Sequence, residues 1–159
     1  MKKFDIEAIR YFISQQKPTT KIYLGVDSER VRAHGQWWAD YHIAVVAHIE
    51  GKYGCKVFGE VVRERDYDKA KNKPTMRLMQ EVYKVSELFL ALGDVLANRH
   101  VEIHLDINPS EKFASNHVAN QALGYIRSTC INAHAKLKPQ AFAATGAANK
   151  LKHLLHKVN

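Results

Sequence analysis

The stretch Ile22-Tyr23-Leu24-Gly25-Val26-Asp27-Ser28 is a short apolar run that closes on an acid. A second run, Val101-Glu102-Ile103-His104-Leu105-Asp106, closes in the same way and continues into Ile107-Asn108-Pro109. Runs rich in Ile, Val, Leu and Tyr form buried strands, whereas an ionised carboxylate resists burial. The two aspartates therefore belong at a sheet's edge or crevice rather than in its core. If the strands are neighbours, the two carboxylates converge and repel each other. A shared proton or a divalent cation relieves that repulsion.

The surrounding elements decide whether the strands are neighbours. Phe4, Ile6, Ile9, Phe12 and Ile13 fall at helical spacing behind Asp5, a suitable N-cap, and Pro18 ends that helix. Three strands are expected next, over 21–27, 39–49 and 53–63, the last two joined tightly through Glu50-Gly51-Lys52 as an antiparallel hairpin. The polar run from Arg63 to Lys73 reads as a mobile, solvated loop, with phosphate contact as its sharper alternative. Pro74-Thr75 opens a long helix on which Leu78, Val82, Val85, Phe89, Leu92 and Leu96 lie within about 40° of one direction. After the strand at 100–106, a helix is expected over 110–128, with Phe113, Val118, Ala122 and Ile126 inward. A short strand near 131–138 and a terminal helix from Ala143 complete the chain. This order predicts an α/β fold: a mixed sheet, with three antiparallel strands followed by parallel ones, and helices on both faces. A right-handed crossover then lays 100–106 parallel to 21–27, and both aspartates reach the carboxyl end where open α/β sheets form crevices.

The 159 residues suit a single domain, with a helix in 1–16 and the core in 21–157. No run approaches the roughly 18–20 apolar residues of a membrane span. The first residues lack the apolar stretch of a signal peptide. Cys55 and Cys130 are too few for a disulfide scaffold, so a reducing cytoplasm is the expected location. A net charge of +8 attracts polyanions, nucleic acid first among them.

A third acid is chosen by helical angle. Taking Leu78 as zero, Glu87 points roughly 180° away and is expected in solvent, while Glu81 lies roughly 60° off the stripe. Glu81 thus borders the buried face and can reach over the sheet edge, unless it is an ordinary boundary residue.

The segments "IYLGVDS", "RLMQEV" and "VEIHLDINP", with Gly124 and "KLKPQAFAATGAANK", resemble the ribonuclease H-like family of the YkuK type, from residue 21 to about 150. The resemblance implies a metal-dependent nuclease. Asp27, Glu81 and Asp106 occupy its first-strand, first-long-helix and fourth-strand acid positions, as both catalytic and metal-binding residues. It implies Mg²⁺ or Mn²⁺, two-metal hydrolysis of RNA, DNA or hybrid phosphodiesters, and a bridging role for Asp27. The last helix of such nucleases usually supplies a fourth acid, but 143–152 contains none, and Asn149 is the candidate substitute. Ser28, Asn108, Lys138 and Lys150 are secondary candidates for nucleic-acid contact. The missing acid keeps open a non-catalytic nucleic-acid-binding or regulatory module.

Other features pull less. Asp27-Ser28-Glu29 also fits the short Asp-x-Glu of proofreading-type 3′–5′ exonucleases, both acids facing one side of a strand. His104 shares the parity of Asp106. None of the nine histidines forms a pair with metal-motif spacing beside a third ligand. Trp37-Trp38 could stack bases, although aromatics that open a strand more commonly pack a hairpin.

Overall fold

The structure, a computed structural model, describes residues 3–69, 74–108 and 116–137. Its elements are α1 (Ile6–Ser14), β1 (Lys21–Ala33), β2 (Gln36–His48), β3 (Cys55–Arg65), α2 (Thr75–Leu92), β4 (Val101–Leu105), α3 (Ala119–Thr129) and β5 (His134–Lys136). The strands form one five-stranded sheet in the order β3-β2-β1-β4-β5. β1, β2 and β3 pair antiparallel, and β4 runs parallel to β1 and to β5. The expected mixed sheet and the adjacency of the two aspartate strands are both present.

Strand alternation selects the core. Ile22, Leu24 and Val26 sit in register with Ala47, Val45 and Ile43 of β2 and with Val101, Ile103 and Leu105 of β4. A period of two places all of them on one face. There they are buried against Ile9 and Ile13 of α1, Leu78, Val82, Val85 and Leu92 of α2, and Ala122 and Ile126 of α3. Each such aliphatic side chain contributes about 1.5–3 kcal/mol of transfer free energy. Among the described residues all three helices therefore cover one face. The terminal helix expected from Ala143 lies outside the described residues. The opposite face carries a smaller cluster of Tyr23 and Val46.

Asp5 caps α1 as expected, accepting a hydrogen bond from the Ala8 amide at 3.0 Å. Three expectations need correction. β1 does not stop at Asp27 but pairs with β2 as far as Ala33 and Gln36. The turn between them, His34-Gly35, has φ of 51° and 73°. Positive φ at both central positions matches the twist of paired strands, and glycine adopts it without strain. The run 63–73 is not a mobile loop over its first half. Arg63 to Arg65 complete β3, and Asp66 and Asp68 are buried by partners described below. Residues 70–73 lie outside the described residues. Finally, Asn116–Val118 form a short 3-10 turn ahead of α3 rather than part of the expected α-helix, whose earlier residues, Phe113 among them, lie outside the described residues.

Candidate active site

The β1–β4 ladder ends at the pair Val26–Leu105, so Asp27 and Asp106 each come one residue beyond it. β4 stops there, while β1 continues beside β2 with Asp27 opposite His42. The place where one parallel strand ends and its neighbour runs on is where open α/β sheets form their crevices. Asp27 thus lies in mid-strand and still at the carboxyl end of the parallel pair. Both aspartates are partly buried.

Glu81 enters from α2. Leu78, Val82 and Val85 pack that helix onto the sheet, and the same packing carries Glu81 inward until only 2% of it is exposed. It is not at the border of the buried face but within it, whereas Glu87 is in solvent as expected. Burial pushes the Glu81 carboxyl well above the usual carboxylate range. The charges of Asp27 and Asp106 push it the same way, while a hydrogen bond with Ser28 and the Arg77 guanidinium oppose them. Among the described residues, Oε2 of Glu81 is buried without a hydrogen-bond partner. The three acids thus share one electrostatic environment with too little positive charge inside it.

Arg77 braces this point. Its Nη1 donates to Ser28 Oγ at 2.8 Å and to the Ser28 carbonyl at 3.1 Å. The Ser28 hydroxyl accepts from Arg77 and keeps its own proton for Glu81. α2 and β1 are thereby tied together across the crevice. Tyr41, opposite Ser28 in the β1–β2 register, is also buried. Burial raises its phenol strongly, and the charges of Glu81, Glu64 and Asp66 add to that.

The rim is built from the acidic run. Asp68 accepts from the Met76 and Arg77 amides at 2.9 and 3.0 Å and so caps α2 from outside the helix. Asp66 accepts from the Asp68 amide at 2.9 Å and pairs with Arg30 at 2.8 Å. Arg30 also donates to the Asp68 carbonyl at 2.6 Å.

The other expected site residues fall as follows. Ser28 is engaged with Arg77 and Glu81 inside the crevice, and Asn108 is partly buried just beyond Asp106. Glu29 faces the same side of β1 as Asp27, opposite Asp40, whose carboxylate is held by Arg63 at 2.6 and 2.7 Å. His104 is fully buried but bonds Glu102 at 2.7 Å and packs on the Tyr23 ring. Its partners thus include Glu102 and Tyr23, and in register it lies beside Gly25. Trp38 donates to the Ala33 carbonyl at 3.2 Å and packs the hairpin. Asn149, Lys138 and Lys150 lie outside the described residues. Arg77 was missed, although its spacing of four from Glu81 puts both on one helical face. Asp66 and Asp68 were missed because a charged run reads as solvated until its partner strand is known.

Three carboxylates and a hydroxyl are donors suited to a hard divalent cation. The orphaned Glu81 oxygen and its raised proton affinity mark a place where positive charge is wanting. Among the described residues, however, no group of three or more His, Cys, Asp and Glu side chains closes around a single metal position. The donors fit the ion chemically, and their arrangement is open.

Comparison with family models gives a match to "Ribonuclease H-like" over residues 5–153. The chain belongs to the ribonuclease H-like family of YkuK. No curated protein and no solved structure gave a significant match. The five-stranded mixed sheet agrees with the ribonuclease H-like fold, and membership brings a nuclease-like architecture and an association with nucleic acid. No helix of the described residues is long and apolar enough to cross a membrane.

Proposed function

We propose that this ribonuclease H-like protein is a Mg²⁺- or Mn²⁺-dependent nuclease that hydrolyses phosphodiester bonds of RNA or DNA at the Asp27–Glu81–Asp106 crevice. The observation that carries the reading is the buried Glu81 carboxyl, one oxygen unpartnered among the described residues, under the fields of both aspartates. Divalent cations held by these acids, two in the full mechanism, would supply the charge that activates water and stabilises the leaving oxygen. Asp27, beside the end of β4, would take the bridging role that the family resemblance implies. Glu81 must lose its proton to ligate, and the Ser28 hydrogen bond and Arg77 charge lower the cost of that loss. The same Arg77–Ser28 tie sets the separation of α2 from β1 and hence of Glu81 from Asp27.

The basic chain, at net +8, supplies attraction for the polyanion. A reducing, cytoplasmic setting suits its two free thiols, Cys55 and Cys130. The open arrangement of the donors supports a second reading, a nucleic-acid-binding module with a degenerate site. Asn149, where related nucleases carry an acid, points the same way.

Cleavage of labelled RNA–DNA hybrid, single strands and branched DNA in Mn²⁺ separates the two. The nuclease reading expects metal-dependent products from wild type and at least about a 100-fold loss in Asp27→Asn and Asp106→Asn. If wild type cuts none of these, and both variants bind like wild type, the module reading replaces it. Glu29→Gln beside Glu81→Gln decides the 3′–5′ exonuclease geometry, because only the ligating acid should abolish cleavage.

A further inference from the structure

β1 and β2 continue as a paired arm beyond the point where β4 ends, from Ser28–Tyr41 out to Ala33–Gln36. β3 accompanies the arm as far as the Trp38–Arg65 pair. Most acids of this lobe are already engaged. Asp40 is held by Arg63, Asp66 by Arg30 and Glu64 by Lys84, while Asp68 caps α2. Among the described residues, Arg32 and Arg65 form no ion pair, and both are exposed. Each lies over an exposed aromatic ring: Arg32 over Trp37 at 5.2 Å and Arg65 over Tyr67 at 5.6 Å.

The first of these stacks is built in advance. Arg30, pinned by Asp66 and the Asp68 carbonyl, also contacts the Trp37 ring at 4.4 Å and fixes it. Trp37 is nevertheless 38% exposed and Tyr67 64% exposed. By strand parity, Arg32 and Trp37 lie on the helix-covered face of the sheet, and Arg65 and Tyr67 on the other. A guanidinium stacked on a ring keeps its in-plane N–H donors available for phosphate oxygens. The exposed rings offer π-faces to unpaired bases.

We infer that this arm is a binding platform for single-stranded nucleic acid that passes around its edge from one face to the other, with Arg32 and Arg65 contacting phosphates and Trp37 and Tyr67 stacking bases. Arg32 is about 17 Å along β1 from Asp27, so the platform engages the strand several nucleotides from the crevice. A single strand is favoured over duplex because bases already stacked in a helix cannot use the rings. The inference rests on reading the crevice as a phosphodiester site.

The test is fluorescence anisotropy of a labelled 20-nucleotide single strand, and of the same sequence as duplex, titrated with the whole protein in EDTA so that cleavage cannot intervene. Tyr67→Ala should weaken single-strand binding about tenfold and duplex binding less than twofold. Arg32→Ala and Arg65→Ala should each weaken both and lower the log-log salt slope for the single strand by about 0.7. These three side chains are exposed, so their removal should leave the melting temperature near that of wild type. Trp37→Phe keeps a ring and should retain most of the affinity while removing the tryptophan quench on binding. Single-strand binding by the Arg32→Ala/Arg65→Ala/Tyr67→Ala variant within twofold of wild type overturns the inference, as does absence of binding by wild type. Arm-independent binding in a protein whose cleavage needs Asp27 would sink the platform and leave the nuclease reading standing. Arm-dependent binding without cleavage of any substrate would do the reverse.

Discussion

Glu81 concentrates the chemistry of the crevice in one side chain. Its folded-state proton affinity is raised by burial and by two neighbouring acids, so the native chain holds a proton that the unfolded chain releases near its ordinary value of 4.5. Above that pH the native state binds more protons than the unfolded state, and stability falls as pH rises through the folded value. The metal-free protein should therefore lose melting temperature between pH 5 and pH 8. Glu81→Gln, which cannot ionise, should lie above wild type at pH 8 and show a flatter profile, with the two converging at the acid end. Other groups that titrate, such as Glu102 and His104, are common to both proteins and drop out of the difference. Parallel profiles would show that Glu81 is not the stressed group. Its helical angle from Leu78 singles this residue out but puts it at the border of the buried face. Helical angle alone does not report how deeply a helix seats on its sheet.

The elements meeting at the crevice were legible to different degrees. The runs 22–27 and 101–106 announce themselves by composition, and the expected parallel adjacency, with both terminal acids at the carboxyl end, is what the ladder ending at Val26–Leu105 displays. The arm was not legible. Ser28-Glu29-Arg30-Val31-Arg32 mixes charge on both faces, so no hydrophobic alternation marks it, and the only local signal was the His34-Gly35 turn. The start of α2 was read from Pro74, yet its cap comes from Asp68, six residues earlier, and Pro74 itself supplies no side-chain bond. Asp68→Ala should therefore destabilise the protein by about 1–2 kcal/mol in urea unfolding. Asp94→Ala, which removes an ion pair with Arg10 whose acid is 84% exposed, should change stability by less than about 0.5 kcal/mol. Equal effects would contradict the remote cap. His104 shares a side with Asp106 as parity expected, and what parity did not show is that Glu102, two residues earlier, holds its ring.

Across the whole molecule, basicity and acidity are separated by purpose. The chain carries +8 overall, yet Asp27 and Asp106 follow the end of the β1–β4 pairing and their charges reach Glu81, which burial keeps from solvent. If three to five phosphates are contacted, single-strand affinity should fall roughly 20–100-fold between 50 and 200 mM salt. A change below twofold would mean that the positive charge plays no part in binding. The most direct test of the central claim, that Asp27, Glu81 and Asp106 hold divalent cation, is anomalous diffraction from crystals soaked in Mn²⁺. A peak about 2.0–2.3 Å from carboxylate oxygens of these three residues, lost in Asp27→Asn, is the expected result. Saturating Mn²⁺ with no peak between Asp27, Glu81 and Asp106 would contradict it.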